Sequence, residues 1–350
     1  MQINTQITIP SLVRIKVGAL DRLGLYLSRE AYTQTVLVVS RDLAPALVQR
    51  AQASLAHYGI SVLQHLEISS ASFEQAAETF AAFPPNCKAV IGLGGGKALD
   101  SAKYAAFLAR LPYYAVPTSL SNDGFCSPQA SLILQGKRRS LACRVPFAVV
   151  IDTDICLQAP DVLWWSGVGD LISKVTAIMD WKLAFHAVET PLNDFAALLS
   201  DATVFQFMAR PEHDTDGVSL LGTALMLNGI AMEITGSSRP ASGSEHLISH
   251  ALDSIAARPR LHGLQVGVAT YIVSKLQGQG TERIAHVLDA TRFWSAIEAD
   301  PFSRREWLEA VALAPSIKQD FYTVLSSRDC IAEVREILAT DSRLVRCFCA

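Results

Sequence analysis

The stretch Ala89-Val-Ile-Gly-Leu-Gly-Gly-Gly-Lys-Ala-Leu-Asp-Ser-Ala-Lys103 decides the fold. Its first five residues form a short, nearly continuous apolar run, the pattern of a parallel strand buried on both faces. The run enters Gly94-Gly95-Gly96 and leaves as an amphipathic helix. A tight turn alone accounts for one or two glycines. Three of them between a buried strand and a helix predict a phosphate-binding turn. Glycine lets the backbone approach a pyrophosphate, and a helix start supplies unpaired N–H groups and a positive dipole end. The spacing is not that of the six-residue dinucleotide fingerprint. Nor is this a nucleoside-triphosphatase phosphate loop, since Ala98 follows Gly96-Lys97.

Working outward from this turn, the neighbouring segments predict an α/β domain. Residues 35–40 (TVLVVS) read as a second buried strand, closed by Arg41-Asp42 and followed by a helix to about residue 58. Residues 61–66 alternate as a strand, and 73–82 read as a helix that stops at Pro84-Pro85. Residues 3–17 predict one or two edge strands with Pro10 at a bend, and 18–28 a short helix. On the other side, 113–116 is a strand, and residues 131–134 and 147–152 are expected to finish the sheet. Between them, Pro117-Thr-Ser-Leu-Ser-Asn-Asp-Gly-Phe-Cys-Ser127 is dense in hydroxyl, amide and carboxylate groups. It follows a strand end, where open parallel sheets bind ligands. Asp123 in this loop reads equally as a contact for a substrate hydroxyl and as an Asx turn before Gly124.

From Pro160 the pattern changes to helix after helix. The expected boundary lies near 156–162. It gives a dinucleotide-binding α/β domain over 1–158 and a helical domain over 159–350. Asp170, after Gly167-Val-Gly169, reads locally as a helix N-cap. The stretch Ser242–Gly263 (SGSEHLISHALDSIAARPRLHG) carries three of the chain's eight histidines. Helical spacing puts His246 and His250 on one face, and Arg258-Pro259-Arg260 separates them from His262. Such a cluster suits a divalent metal or an anionic substrate; surface or capping histidines are the plainer alternative.

Composition narrows the function classes. A net charge of −3 without charge blocks argues against nucleic-acid binding. No run approaches the ~20 uninterrupted apolar residues of a membrane span. The N-terminal MQINTQITIP lacks a basic segment followed by an apolar core. Seven scattered cysteines argue against a disulfide framework and for a reducing cytoplasm. Half of the residues are hydrophobic, enough to fill a helical core and a homo-oligomer interface.

Taken together, GLGGGKALDSAKY (92–104), VPTSLSNDGFCSPQASL (116–132), GDLISK (169–174), SGSEHLISHALD (242–253), His262-Gly263 and APSIKQDFYTVL (314–325) resemble one family in order and spacing. It is the sn-glycerol-1-phosphate dehydrogenase family, within the superfamily of iron-containing alcohol dehydrogenases, glycerol dehydrogenase and dehydroquinate synthase. The resemblance covers nearly the whole chain. It implies a parallel-sheet, dinucleotide-binding α/β domain and an all-α, metal-binding C-terminal domain. It also implies hydride transfer between NAD or NADP and dihydroxyacetone phosphate. By position, Asp170, His246 and His262 would hold a divalent metal. Asp123, Asp170 and His250 would meet the substrate. Gly94, Gly95, Gly96, Lys97, Asp100, Thr118, Ser119 and Ser127 would line the cofactor. Iron-dependent relatives carry a histidine where Lys174 stands here, so zinc is the expected ion, with nickel or iron as alternatives. Arg41, after the strand at 35–40, would face a ribose 2′-phosphate, and Asp42 the ribose hydroxyls of NAD.

Two other functions fit the same superfamily. One is a polyol or aldehyde reductase acting on another small-molecule substrate without phosphate. The other is a dehydroquinate-synthase-like cyclase. The candidate phosphate partners are Lys137, Arg138, Arg139, Arg144, Arg239, Arg258 and Arg260.

Overall fold

The computed structural model describes residues 7–349. The chain divides into two compact units after Ala159. The first contains β1 (Leu12–Lys16), α1 (Leu23–Arg29), β2 (Gln34–Ser40), α2 (Pro45–His57), β3 (Ser61–Ile68), α3 (Phe73–Ala81), β4 (Ala89–Gly94), α4 (Gly96–Ala109), β5 (Tyr113–Pro117), β6 (Gln129–Leu134), β7 (Lys137–Ala142), β8 (Ala148–Asp152) and α5 (Thr153–Leu157). Six strands form one parallel sheet in the order β1-β8-β5-β4-β2-β3.

The central strands are apolar because both faces are covered. Leu37, Val39, Ile91 and Leu93 point into one cluster with Leu23, Leu27 and Leu55 of α1 and α2. Val36, Val38 and Val90 point into the other, with Ala98, Ala102 and Ala106 of α4. From β2 the chain goes outward to β3, then crosses to β4 on the other side of β2. The carboxyl ends of β2 and β4 therefore flank the topological switch point, where such sheets open a ligand crevice.

Two expectations change. The edge strand is confined to Leu12–Lys16; residues 7–11 are irregular, and 3–6 lie outside the described residues. Residues 131–134 do not finish the main sheet. They belong to β6, which pairs with β7 as a separate antiparallel hairpin. Gln135 and Gly136 both take positive φ at its turn, as a two-residue hairpin loop requires. β7 reads KRRSLA and is largely exposed, so it has no apolar alternation to betray it.

The second unit is helical: α6 (Asp161–Ile172), α7 (Lys174–Val188), α8 (Asp194–Met208), α9 (Thr215–Thr235), α10 (Ser244–Ile255), α11 (His262–Gln277), α12 (Thr281–Ala290), α13 (Phe293–Glu298), α14 (Arg304–Leu313), α15 (Val324–Ser327) and α16 (Ile331–Thr340). A two-residue parallel pair, β9 (Phe302–Ser303) with β10 (Phe348–Cys349), closes it. α9 is long and apolar enough to cross a membrane, but most of it is buried inside this unit, as in a core helix.

Asp170 is not an N-cap. Pro160 caps α6 ten residues earlier, which leaves Asp170 in the helix's last turn. Gly169 sits inside the helix because α11 approaches there. A Cβ on Gly169 would strike the Gly263 carbonyl, and one on Gly263 would strike the Ser166 carbonyl. This seam brings Asp170 beside His262.

Candidate active site

In the first unit the glycine turn takes the form its sequence predicts. Gly94 has φ +137°, and a side chain there would collide with Ser40 Oγ. Ser40 Oγ accepts from Gly95 N at 3.1 Å and ties the turn to the end of β2. A Cβ on Gly95 or Gly96 would meet nothing within 4 Å. The start of the 14-residue helix α4 thus faces open space at the switch point. That is the cradle a pyrophosphate needs. Lys97 is exposed, Thr118 and Ser119 are half-buried, and Thr118 N donates to Gly94 O at 3.1 Å. Arg41 is exposed and pairs loosely with Glu67 at 3.8 Å.

Asp100 points inward instead of along the cradle. It pairs with Lys103 Nζ at 3.1 Å. Burial pushes its carboxyl up despite the lysine. Lys103, 1% exposed, also donates to Gly124 O at 2.5 Å and Ser127 O at 3.3 Å. It therefore pins the polar loop to α4, a role sequence reading passes over. The available signal is its i,i+3 spacing from Asp100 on an apolar helix face. Ser127 is buried and donates to Gln129 O at 2.9 Å. The Asx turn before Gly124 is made by Asn122, whose Oδ1 accepts from Gly124 N at 2.9 Å; Asp123 does not make it.

In the second unit, Asp170, His246 and His262 come together from three helices. One ligand atom from each lies within 4.8 Å of the others. His246 Nε2 lies 3.4 Å from Asp170 Oδ1, and His262 Nε2 lies 4.0 Å from it. His250 stays outside this triad but stacks on His262 with ring centroids 5.7 Å apart.

The far nitrogens of both histidines have partners. His246 Nδ1 meets Glu245 Oε1 at 2.9 Å, and His262 Nδ1 meets Ser249 Oγ at 3.1 Å. Gln265 Nε2 also donates to Ser249 Oγ, at 3.0 Å. With Nδ1–H donating, each Nε2 presents a lone pair toward Asp170, the arrangement that orients metal-ligating histidines. Glu245, Ser249 and Gln265 are thus site residues that spacing did not reveal. Glu245 is fully buried and accepts further bonds from Gly243 N at 2.6 Å and Thr176 Oγ1 at 2.8 Å.

Lys174 is also fully buried, with Nζ 3.2 Å from Asp170 Oδ1. Burial alone would raise the Asp170 carboxyl; Lys174, His246 and His262 outweigh it and hold the group well below the usual carboxylate range. Burial and the neighbouring His246 push His262 well below an ordinary imidazole. His246 rises despite burial, because Asp170 and Glu245 hydrogen-bond to it. An ionised carboxylate and a neutral imidazole are the forms a metal takes. The donor set, one oxygen and two nitrogens, fits a divalent transition ion with positions left open.

Comparison with known proteins places the chain in a family. A family model for iron-containing alcohol dehydrogenases matches residues 14–160. A protein named glycerol-1-phosphate dehydrogenase (NAD(P)+) from Aeropyrum pernix is 35% identical, covering 97% of this chain and 98% of its own. One of the same name from Methanosphaera stadtmanae is 36% identical, covering 78% and 79%. Among solved structures, glycerol dehydrogenase from Schizosaccharomyces pombe shares the fold, with TM-score 0.75 at 18% identity, covering 98% of this chain and 92% of that one. A sulfoacetaldehyde reductase from Bifidobacterium kashiwanohense, in complex with NAD+, matches with TM-score 0.69 at 15% identity, covering 96% and 99%. The chain belongs to the glycerol-1-phosphate dehydrogenase family.

Proposed function

We propose that this chain is a metal-dependent oxidoreductase that uses NAD(P)H to reduce dihydroxyacetone phosphate reversibly to sn-glycerol 1-phosphate. The observation that carries this reading is the triad Asp170, His246 and His262, with ligand atoms within 4.8 Å of one another. The glycine cradle at the switch point supports the second reactant, a dinucleotide, and the relatives' names supply the substrate.

In this reading Asp170, His246 and His262 hold a divalent ion, proposed as zinc, whose contribution is Lewis acidity toward a carbonyl oxygen, while a nicotinamide contributes the hydride. Glu245 and Ser249 keep both imidazoles oriented. Lys174 offsets the Asp170 charge while no cation is bound. His250, one helical turn from His246, delivers the proton that turns the reduced carbonyl into an alcohol and takes it back in the reverse direction. Asp123 receives the substrate hydroxyl. The first amides of α4, with Gly94, Gly95, Gly96 and Lys97, bind the pyrophosphate. Thr118, Ser119 and Ser127 line the cofactor, and Asp100 contributes through Lys103. Arg41 favours the 2′-phosphate of NADP without excluding NAD. The exposed apolar face of Phe195, Leu198 and Phe205 on α8, beside Phe185 and Val188 on α7, supports a homo-oligomer. The seven free cysteines are consistent with a cytoplasmic protein.

The test is a metal-replete assay that follows NAD(P)H absorbance. Dihydroxyacetone phosphate should oxidise the cofactor far faster than dihydroxyacetone does. Equal rates would remove the phosphate from the assignment. Turnover without net cofactor oxidation would point to cyclase chemistry instead.

A further inference from the structure

Arg239 is the only buried arginine among the described residues, at 4% exposure. The other basic candidates of its unit have a carboxylate partner, since Arg258 and Arg260 share Asp300. Among the described residues Arg239 has no ion-pair partner. Its Nη1 donates to Tyr322 O at 2.6 Å, and its Nη2 has no hydrogen-bond partner. The guanidinium carbon sits 3.8 Å from the centroid of the Phe321 ring. A second cation approaches the same ring: Lys318 Nζ lies 4.1 Å from its centroid and donates to Ser238 Oγ at 2.9 Å. A ring face offsets only part of the hydration a buried guanidinium gives up. Two cations on one phenyl ring also repel each other. Burial lowers the pKa of Arg239; at Lys318, a largely exposed residue, desolvation of the ammonium lowers it and the nearby Arg239 lowers it further.

Arg239 and Lys318 line one cavity of about 550 Å³. Ser237, Thr190 and Gln319 add neutral hydrogen-bonding groups to its wall. The carboxylate on its lining, Asp320, is exposed and pairs with neither cation. Asp180, the other acid close enough to act on Arg239, is already bound by Ser244 N and Val324 N. The cavity wall includes Trp181, seven residues beyond Lys174 on α7, a rise of about 10 Å along that helix.

We propose that this cavity is an anion site for a phosphate group, held by Arg239 and Lys318. An anion there would satisfy the guanidinium, separate the two cations electrostatically and bond to the neutral groups of the wall. Phosphate fits because a planar guanidinium offers it paired donors while an ammonium meets it as a point charge. The group could belong to a phosphorylated substrate or to a free anion, and the test separates these sources.

The first measurement is calorimetric titration of inorganic phosphate into the metal-loaded protein. It does not depend on turnover, so it stands apart from the dehydrogenase assignment. One saturable site per chain is expected, weakened at least 10-fold in Lys318→Met and in Arg239→Met. Lys318 is exposed, so its variant remains informative if Arg239→Met fails to fold. No saturable binding, or wild-type binding in Lys318→Met, overturns the proposal. The second measurement is kinetic. Competitive inhibition by phosphate, with a raised KM for dihydroxyacetone phosphate and unchanged kcat in Lys318→Met, assigns the site to the substrate's own phosphate. Saturable binding without competition assigns it to a separate anion.

Discussion

Glu245→Gln isolates the charge that orients His246. The carboxylate accepts from Gly243 N, Thr176 Oγ1 and His246 Nδ1 at 2.6, 2.8 and 2.9 Å. Glutamine can keep all three contacts. Its oxygen, placed at Oε1, still accepts from Gly243 N and the imidazole. Its amide then faces Thr176 Oγ1, whose hydroxyl already has a second acceptor in Ser173 O at 3.0 Å. The fold should therefore survive, and the lost quantity is the negative charge behind the histidine. Removing such an outer partner typically costs 10–100-fold in metal affinity, or about 1.4–2.7 kcal/mol. Competition with a chromophoric zinc chelator measures it, with urea unfolding of the metal-free protein as the control. Glu245→Ala should behave differently. It leaves the buried Gly243 amide and the His246 ring N–H without their acceptor, at about 1–3 kcal/mol each, so it should destabilise the metal-free protein as well. Zinc affinity within twofold of wild type in Glu245→Gln, at unchanged stability, would refute the role given to this carboxylate.

Four further outcomes are expected. His246→Ala and His262→Ala should lose bound metal by atomic emission; His250→Ala should retain it and lose about 10²–10⁴-fold in kcat, and metal loss in all three would overturn its assignment as a proton donor. Gly169→Ala should be net destabilising by about 1–3 kcal/mol in urea unfolding, because the added methyl meets the Gly263 carbonyl; stabilisation by the roughly 1 kcal/mol of helix propensity would show that the seam is loose. Arg41→Ala should lower kcat/KM with NADPH relative to NADH, and an unchanged ratio would remove Arg41 from cofactor choice. Asp180 is raised from 3.8 to about 6, first by burial and then by Glu245, so the folded state holds its proton more tightly than the unfolded chain. The resulting stability is present below pH ~4 and is lost as pH rises through about 6. Asp180→Asn should flatten that part of the urea-unfolding profile, by on the order of 1–3 kcal/mol between pH 4.5 and 7.

What the sequence reveals follows from the range of the physics involved. β2, β4, β5 and β8 are legible because a strand covered on both faces must be apolar throughout, and that constraint is local. β7 is illegible for the opposite reason: an exposed hairpin strand imposes no such pattern. Helical periodicity relates residues within one helix, so it pairs His246 with His250. The ligand triad instead joins the last turns of α6, the first turn of α10 and the first residue of α11. Nothing local distinguishes Asp170 from a cap. What places it is the approach of α6 to α11, and the trace of that in the sequence is glycine at 169, 263 and 267 inside helical patterns. The resemblance to a family supplied Asp170 and His262 as ligands, which spacing could not. It could not supply Glu245, Ser249, Gln265 or Lys103, which act on other groups of the site through hydrogen bonds visible only in three dimensions. The same limit holds for Arg239, one of seven basic candidates in the sequence. It is set apart by burial without a counter-ion, a property of the folded chain alone.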